Sequence, residues 1–453
     1  MMSRKNRAIG LVAGAAACAM VGTASGQVIN EQGKLTAFDG ANLDQFGYSI
    51  DLDNGLVVVG ALKDDDNGTD SGSAYLFIGA TGAQVAKLLP DDGANFDEFG
   101  HAVAIDNGIV AISARNDADN GTLSGSVYLF DASTGNQLMK ILPDDGAAFD
   151  EFGISVAMDS GILAVGASKD DDNGDSSGSV YLFDVKTGTQ LAKLLPGDGA
   201  AGQFFGHGLD IKDGIVAVGA FFGTGIGELT GAAYVFDAAT GTELAKLIAD
   251  DGEMQDQFGV SVAVGNGIIA VGSPDDRLFG TPKGSVYLFE TATGNQIDKL
   301  VANDADPSDS FGWKVSTDGE VLVIGAWGDD DNGAGAGSAY FFNPTSGLQL
   351  TKFLASDGQG GDSLGWSVAI DNGAVAIGAR FATELGEFRG AAYTYEIDCP
   401  ADFNGDYSYN FLDISELISL ITAGDPAADF NNDGTINFFD ISAFLEAFSA
   451  GCP

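Results

Sequence analysis

Basic side chains are scarce in this sequence: 20 lysines and arginines face 65 aspartates and glutamates, a formal charge of -45. A chain so acidic repels phosphate backbones and anionic lipid surfaces, which argues against nucleic acid as a partner. It suits divalent cations and cationic partners instead. Histidine is scarcer still, with only His101 and His207, and these lack the paired spacing of a zinc site. Long apolar runs are missing beyond the start. The run from Ala8 to Gly22 is too short to span a bilayer, so no transmembrane segment is expected. It follows a charged start and precedes the small residues Ala24-Ser25-Gly26, the pattern of a secretory leader over residues 1–26. Cys18 falls inside that leader. Reading it as a lipidated N-terminus conflicts with Ala15-Ala16-Ala17, which lacks the large aliphatic residue of such sites. Cys399 and Cys452 then remain, an even pair in an exported chain, which predicts one disulfide and a secreted, extracellular or cell-surface location.

Apolar residues (45%) and glycine (66 residues) are abundant, so the chain can build a large core broken by many turns, an all-β composition. The turns are spaced by a ruler. Phe-Gly recurs at Phe46, Phe99, Phe152, Phe205, Phe258 and Phe311, and Leu364-Gly365 continues the series at the same step of 53 residues. Each unit holds four strand-like runs closed by Gly, Asn or Asp, as in FGYSIDLDNGLVVVGA, an acidic loop, GSAYLF and TGAQVAKLL. Seven such units predict a seven-bladed β-propeller, because a single four-stranded blade cannot bury both faces alone. The seventh unit ends at Tyr395 without a fourth strand, while Gln32-Gly33-Lys34-Leu35 matches the fourth-strand sequence Val85-Ala86-Lys87-Leu88. The N-terminal strand is therefore expected to complete the last blade and close a ring. A lysine recurs in every fourth strand, at Lys34, Lys87, Lys140, Lys193, Lys246, Lys299 and Lys352. On an outer strand it reads as a guard against edge-to-edge pairing.

The second strand ends in Val59-Gly60-Ala61, Val165-Gly166-Ala167, Val218-Gly219-Ala220 and similar copies, with Ile112-Ser113-Ala114 the weakest. Phe-Gly followed by Gly-Ala resembles the FG-GAP repeats of integrin α-chain propellers and of bacterial exported proteins, over residues 27–398. The resemblance implies the propeller fold but leaves function open. The integrin-type calcium loop between the first two strands does not carry over, because tight turns such as Asp53-Asn54-Gly55 stand there.

The loop leading into the first strand and the loop between the second and third strands are expected on one face. Asp39, Asp92, Asp145, Asp198, Asp251, Asp304 and Asp357 recur in the former, with Asp44, Asp97, Asp150, Asp256, Asp309 and Asp362 five residues on, each read chiefly as a cap for loop amides. The latter is acidic in units one, two, three and six, where Asp64 and Asp66, Asp117 and Asp119, Asp170 and Asp172, and Asp329 and Asp331 are candidate calcium ligands. Units four, five and seven carry Phe221 and Phe222, Leu278 and Phe279, and Phe381 and Phe388 there instead. Two residues after the repeat phenylalanine, Tyr48, His101, Trp313 and Trp366 belong to blades that neighbour each other in a closed ring. They form a candidate partner-binding arc, for a sugar ring or an aromatic group, near the channel mouth; buried packing is the competing reading.

From residue 399 to 453 the pattern changes. Asp402, Asn404, Asp406, Ser408, Asn410 and Asp413 hold positions one, three, five, seven, nine and twelve of a calcium loop, and Asp429, Asn431, Asp433, Thr435, Asn437 and Asp440 repeat them. Helical stretches follow at Ile414–Ile421 and Ile441–Phe448. The duplicated loop and helix, with CPADFNGD at the start and GCP at the end, resembles a dockerin, an EF-hand-like module. That resemblance implies Ca2+ as cofactor and a cohesin-like protein as partner. Tyr407 replaces the loop glycine that Gly434 supplies in the second copy, and Phe411-Leu412 and Phe438-Phe439 replace polar cohesin-contacting positions. A disulfide from Cys399 to Cys452 would contribute about 4 kcal/mol to so small a module by chain entropy.

Catalytic patterns are thin. Gly174-Asp175-Ser176-Ser177-Gly178 matches a hydrolase nucleophile motif by letter but lies in a strand-to-strand loop. The sequence thus points to a secreted, non-catalytic, calcium-binding protein with protein or glycan partners. A component of a polysaccharide-degrading system, non-catalytic or a glycoside hydrolase, is the alternative.

Overall fold

The computed structural model describes residues 30–397, apart from 279 and 385, together with 401, 403, 411–431 and 434–450. The expected leader, Cys399, Cys452, and the loop residues Asp402, Asn404, Asp406, Ser408, Asn410 and Asp433 lie outside the described residues.

Each 53-residue unit folds as one four-stranded antiparallel sheet, and seven sheets form a propeller. Blade one consists of Phe46–Asp53, Leu56–Ala61, Ser73–Ile78 and Ala83–Leu88, in that order from the inside out. The turn joining its first two strands runs through Asn54 (φ 49°) and Gly55 (φ 79°). Two successive positive φ values match the twist of a two-residue hairpin, which explains the recurring Asn-Gly. Blade seven combines Leu364–Asp371, Ala374–Ala379 and Ala391–Glu396 with Asn30–Leu35 as its outermost strand. Lys34 stands opposite Tyr393 in that pairing, as Lys87 stands opposite Tyr75 in blade one.

The ring is closed by direct contacts between the last blade and the first. Ser367 Oγ donates to Gly47 O at 2.8 Å, Asn54 N donates to an Asp371 carboxylate oxygen at 3.0 Å, and Phe46 bridges to Gly390. The two glycines of the repeat motif explain why blades fit so closely. A Cβ on Gly60 would collide with the carbonyl of Gly100 in the next blade, and the same holds for Gly166 on Gly206, Gly219 on Gly259 and, across the closure, Gly378 on Gly47. The glycine after the repeat phenylalanine, or after Leu364, thus lies against the Gly-Ala glycine of the blade before it, except that Gly153 meets Ser113. Backbone-to-backbone approach of this kind leaves no room for a side chain.

Seven apolar clusters fill the spaces between blades. One of them joins Leu35, Ala369, Ala376 and Ala392 of blade seven to Phe46, Val57 and Tyr75 of blade one. The repeat phenylalanines are buried and meet the third-strand aromatics edge-on, Phe46 with Tyr75 at 5.5 Å and 65°. Such pairs add about 0.5–1.5 kcal/mol each beyond burial.

Beyond the propeller, helices α1 (Phe411–Ala423) and α2 (Phe438–Ala450) are each longer than the sequence pattern suggests. They share a small core of Ala401, Leu417, Ala428 and Phe444, with Phe403, Ile414 and Phe430 packed against it. Among the described residues, no helix is long and apolar enough to cross a membrane.

Candidate functional site

The lysines stand on the outermost strands, where the sequence suggested an edge guard, and there they serve as counter-ions. In blade one, Lys87 Nζ lies 2.8 Å from Asp39, 3.0 Å from Asp64 and 2.7 Å from Asp66. The fully buried Tyr75 places its one hydroxyl proton between Asp39 (3.0 Å) and Asp64 (2.9 Å), and the ammonium sits over its ring. Cross-strand pairing of lysine and tyrosine sets this geometry. Lys140 gathers Asp92, Asp117 and Asp119 in the same way, Lys193 gathers Asp145, Asp170 and Asp172, and Lys352 gathers Asp304, Asp329 and Asp331. The eight candidate calcium ligands of the propeller therefore all converge on an ammonium. Blade seven borrows its lysine from the N-terminal strand: Lys34 pairs with Asp357 (2.7 Å) and Glu384. Burial lowers the affinity of Lys87 for its proton, but hydrogen bonds to Asp39 and Asp66 outweigh this and raise its pKa. For Asp39, burial favours the neutral form, and the bonds from Lys87 and Tyr75 reverse that and lower its pKa.

Amide capping, expected of both carboxylate series in this loop, falls to the second, five residues beyond the Asp39 series. Asp97 and Asp150 accept from the backbone N–H of Ala94 and Ala147, each at 2.7 Å. Burial pushes the carboxyls of Asp44, Asp97, Asp150, Asp256 and Asp309 up to about 6. The segment holding these caps turns through a left-handed residue three positions before the repeat phenylalanine. Gly202, Gln255, Ser308 and Gly361 occupy this position in blades four to seven, with φ of 76°, 71°, 73° and 92°. Blades one to three place Leu43, Phe96 and Phe149 there instead, at φ 74°, 70° and 76°. These three side chains are 51%, 56% and 57% exposed. Bulky residues are strained in this region, at about 1–2 kcal/mol each. Exposed carboxylates, among them Asp65, Asp91, Asp144, Asp171 and Asp175, lie on the neighbouring loops.

The first strands enclose a central channel of about 460 Å³. Its mouth on the loop face carries the expected arc. Trp313 and Trp366 are 4.8 Å apart, Trp366 and Tyr48 5.7 Å, and Tyr48 and His101 5.3 Å between ring centroids. The arc is not an open platform. Arg380 places its guanidinium 3.2 Å from the centre of Trp366, and Trp327 packs edge-on against Trp366 and Trp313. The sequence reading missed Arg380, Trp327 and Arg115, which follow the Gly-Ala or Ser-Ala of their units, and Lys314, which stands where Ser49, Ser155, Ser261 and Ser367 recur. Aligning all seven copies at those two positions would have found them. Phe221 of blade four also turns inward, 4.7 Å from His207, whereas Phe388 of blade seven is 49% exposed.

Electrostatics at the mouth are unusual for so acidic a chain. Burial lowers the pKa of Lys314 and brings that of Arg380 down to about 10. Burial, reinforced by Arg115 and Lys314, holds His101 well below its ordinary value, and burial together with Lys314 takes His207 to about 4. Both histidines are neutral at pH 7. Deeper in the channel, Asp51 accepts from Ile105 N (2.8 Å) and Asp210 from Val264 N (2.7 Å), tying adjacent blades together. Burial raises these carboxyls to about 7 and about 6.

In the C-terminal module, Asp413 and Asp440 stand in the first turns of α1 and α2 and are fully buried. Asp413 accepts from Phe403 N at 3.0 Å, and Asp440 from Asn431 N at 3.2 Å and Asn437 N at 2.7 Å. Asp429 accepts from Gly434 N (2.8 Å), and Gly434 has the positive φ (86°) of a sharp loop turn. Position-one and position-twelve carboxylates of the second loop thus both turn into their own loop. Thr435 accepts through its backbone carbonyl from Asn437 Nδ2 (2.8 Å).

No curated protein matches the chain. The FG-GAP repeat family model matches seven times, at residues 29–77, 83–130, 136–183, 189–236, 242–289, 295–342 and 348–395. Each match opens on an outer strand and ends on a third strand, so the first takes in the N-terminal strand that completes blade seven. With seven tandem matches over most of its length, and glycines that join blade to blade where the motif places them, this chain belongs to the FG-GAP repeat family.

Proposed function

We propose that this chain is an exported, non-catalytic binding protein that captures a protein partner on the loop face of blades one to three. The observation that carries the reading is the coincidence of strain and exposure at Leu43, Phe96 and Phe149. A fold gains nothing by holding a bulky apolar residue in water in a left-handed conformation, when sister repeats use glycine, serine or glutamine there. The surrounding exposed carboxylates specify a partner with basic side chains around an apolar centre. A propeller is consistent with such a role, and the channel carboxylates Asp51 and Asp210 are engaged in blade joints. The test is a pull-down from the native envelope with the parent protein and with Phe96→Ser/Phe149→Ser. Loss of the captured protein with the fold intact supports the reading, and equal capture overturns it.

The C-terminal module, in the same reading, is a dockerin-like unit ordered by calcium. Asp402, Asn404, Asp406, Ser408, Asn410 and Asp413 would hold one ion, and Asp429, Asn431, Asp433, Thr435, Asn437 and Asp440 the other. The inward carboxylates of Asp429 and Asp440 and the turn at Gly434 fit such an ion. Calcium would supply a hard charge around which each loop closes, and Cys399 with Cys452 would tie the ends. Helical content and melting that do not change between calcium and chelator would count against it. Matching exposed pairs, Phe411-Leu412 and Phe438-Phe439, head the two helices and favour docking to a further protein, as in an extracellular polysaccharide-degrading assembly. Pull-down by immobilised cohesins tests that second reading.

A further inference from the structure

The channel mouth gathers hydrogen-bond donors that have nothing to donate to. Lys314, Arg380, Trp313 and His101 all line the cavity. Trp313 Nε1, Arg380 Nε and His101 Nδ1 are buried and meet no acceptor. Tyr48 Oη lies 3.4 Å from His101 Nε2. With that nitrogen accepting, the neutral imidazole carries its proton on the unpartnered Nδ1. Lys314 forms no ion pair among the described residues, and only desolvation acts on it. Arg115, by contrast, is paired with Glu98 at 2.9 Å. In a chain with 65 acidic residues, leaving a half-buried ammonium and a half-buried guanidinium in a channel without a carboxylate is costly unless a ligand supplies one.

Repetition shows that the lysine is not needed for the fold. Four other blades carry serine at this position, and each donates to the glycine carbonyl of the next blade: Ser49 to Gly100, Ser155 to Gly206, Ser261 to Gly312 and Ser367 to Gly47, at 2.6–2.9 Å. Blade six gives up that bond and lines the channel with a charge instead.

We infer that the channel mouth is a binding site for a small organic carboxylate with a ring-shaped body. The guanidinium of Arg380, fixed on Trp366, offers the forked donor geometry that a carboxylate matches, and Lys314 neutralises it from blade six. Trp313, Trp366 and Tyr48 wall the space that the body fills. A cavity of about 460 Å³ has the size of a small-molecule site. Monoanions are selected over phosphate dianions, because Asp51 and Asp210 occupy the channel beyond.

Calorimetric titration of the full chain at constant ionic strength tests this, with benzoate, galacturonate and acetate as probes and the methyl esters of the first two as controls. The two ring acids bind, acetate binds more weakly, and each ester loses about tenfold or more. Lys314→Ser, which installs the residue of the sister blades, and Arg380→Leu, which installs the equivalent of Leu62, each weaken the acids about tenfold while circular dichroism and melting show an intact fold. Equal binding of acid and ester, an undiminished affinity in Lys314→Ser, or no binding of any acid by the parent overturns the inference. None of these outcomes bears on protein capture by Phe96 and Phe149, which lie outside the channel lining.

Discussion

At the blade rims the seven repeats agree, whereas at the channel mouth they diverge. Each rim cluster sets a lysine, a tyrosine and at least one aspartate together, and its ammonium is matched by carboxylates or, in blade four, by Asp198 and the carbonyl of Thr224. The mouth sets Tyr48, His101, Ile154, His207, Val260, Trp313 and Trp366 at one level, no more than two of them alike, and leaves buried donors without acceptors. Seven satisfied copies mark a device that every blade needs in order to hold its loops. Broken symmetry with unmatched donors marks a place where a single ligand is met, because a closed ring has one axis and the ligand sees all seven blades at once.

The largest effect is expected from breaking a rim cluster. Lys140→Ala strands the buried Asp117 beside Asp92 and Asp119 and lowers unfolding free energy at neutral pH by about 3 kcal/mol. Lys246→Ala in blade four removes an ion pair to the exposed Asp198 alone and costs about 1 kcal/mol. Denaturant titration of both variants measures the contrast, and equal losses would show that the buried second carboxylate contributes nothing. Next comes the strained triad. Phe96→Gly relieves a left-handed phenylalanine and raises stability by about 1 kcal/mol while weakening partner capture. A destabilised Phe96→Gly protein would mean that the side chain serves the fold.

The smallest effect is in pH, and its sign follows from two opposed groups. The capping carboxyls near 6, with Asp210 near 6 and Asp51 near 7, are raised above their unfolded value of 3.8. The stability they contribute is complete below that value and is lost as pH rises through about 6–7. Asp39, Asp92, Asp145 and their equivalents are lowered by lysine and tyrosine. Their contribution is present above 3.8 and is lost as pH falls. Melting temperature should therefore peak at about pH 4 and decline towards about pH 7. A profile that is level from about pH 4 to about pH 7 would show that the caps are solvated in solution.

Much of the architecture was legible because a repeat reports its own geometry. The 53-residue step, the four runs per unit and the misplaced fourth strand at Lys34-Leu35 fix blade number, strand order and closure, and the described propeller has all three. The acidic loops were legible as clusters, but the lysine that each of them meets was not. Asp64 and Lys87 are 23 residues apart and Asp39 and Lys87 are 48 apart, so nothing local in the chain says that they meet. Residues at the two informative mouth positions were hidden by their dissimilarity. Lys314 and Arg380 look like ordinary charged residues until the ring brings blades six and seven beside blade one.

By itself, the sequence determined a closed seven-fold ring with its long loops on one face. Glycine placement and alternating hydrophobicity act within a few residues of each other and leave the backbone little choice. Only the tertiary structure decided which charges are answered and which are left open, because that depends on side chains from different strands and blades converging in space. Rim carboxylates found a lysine there, and the donors around the channel axis did not find an acceptor.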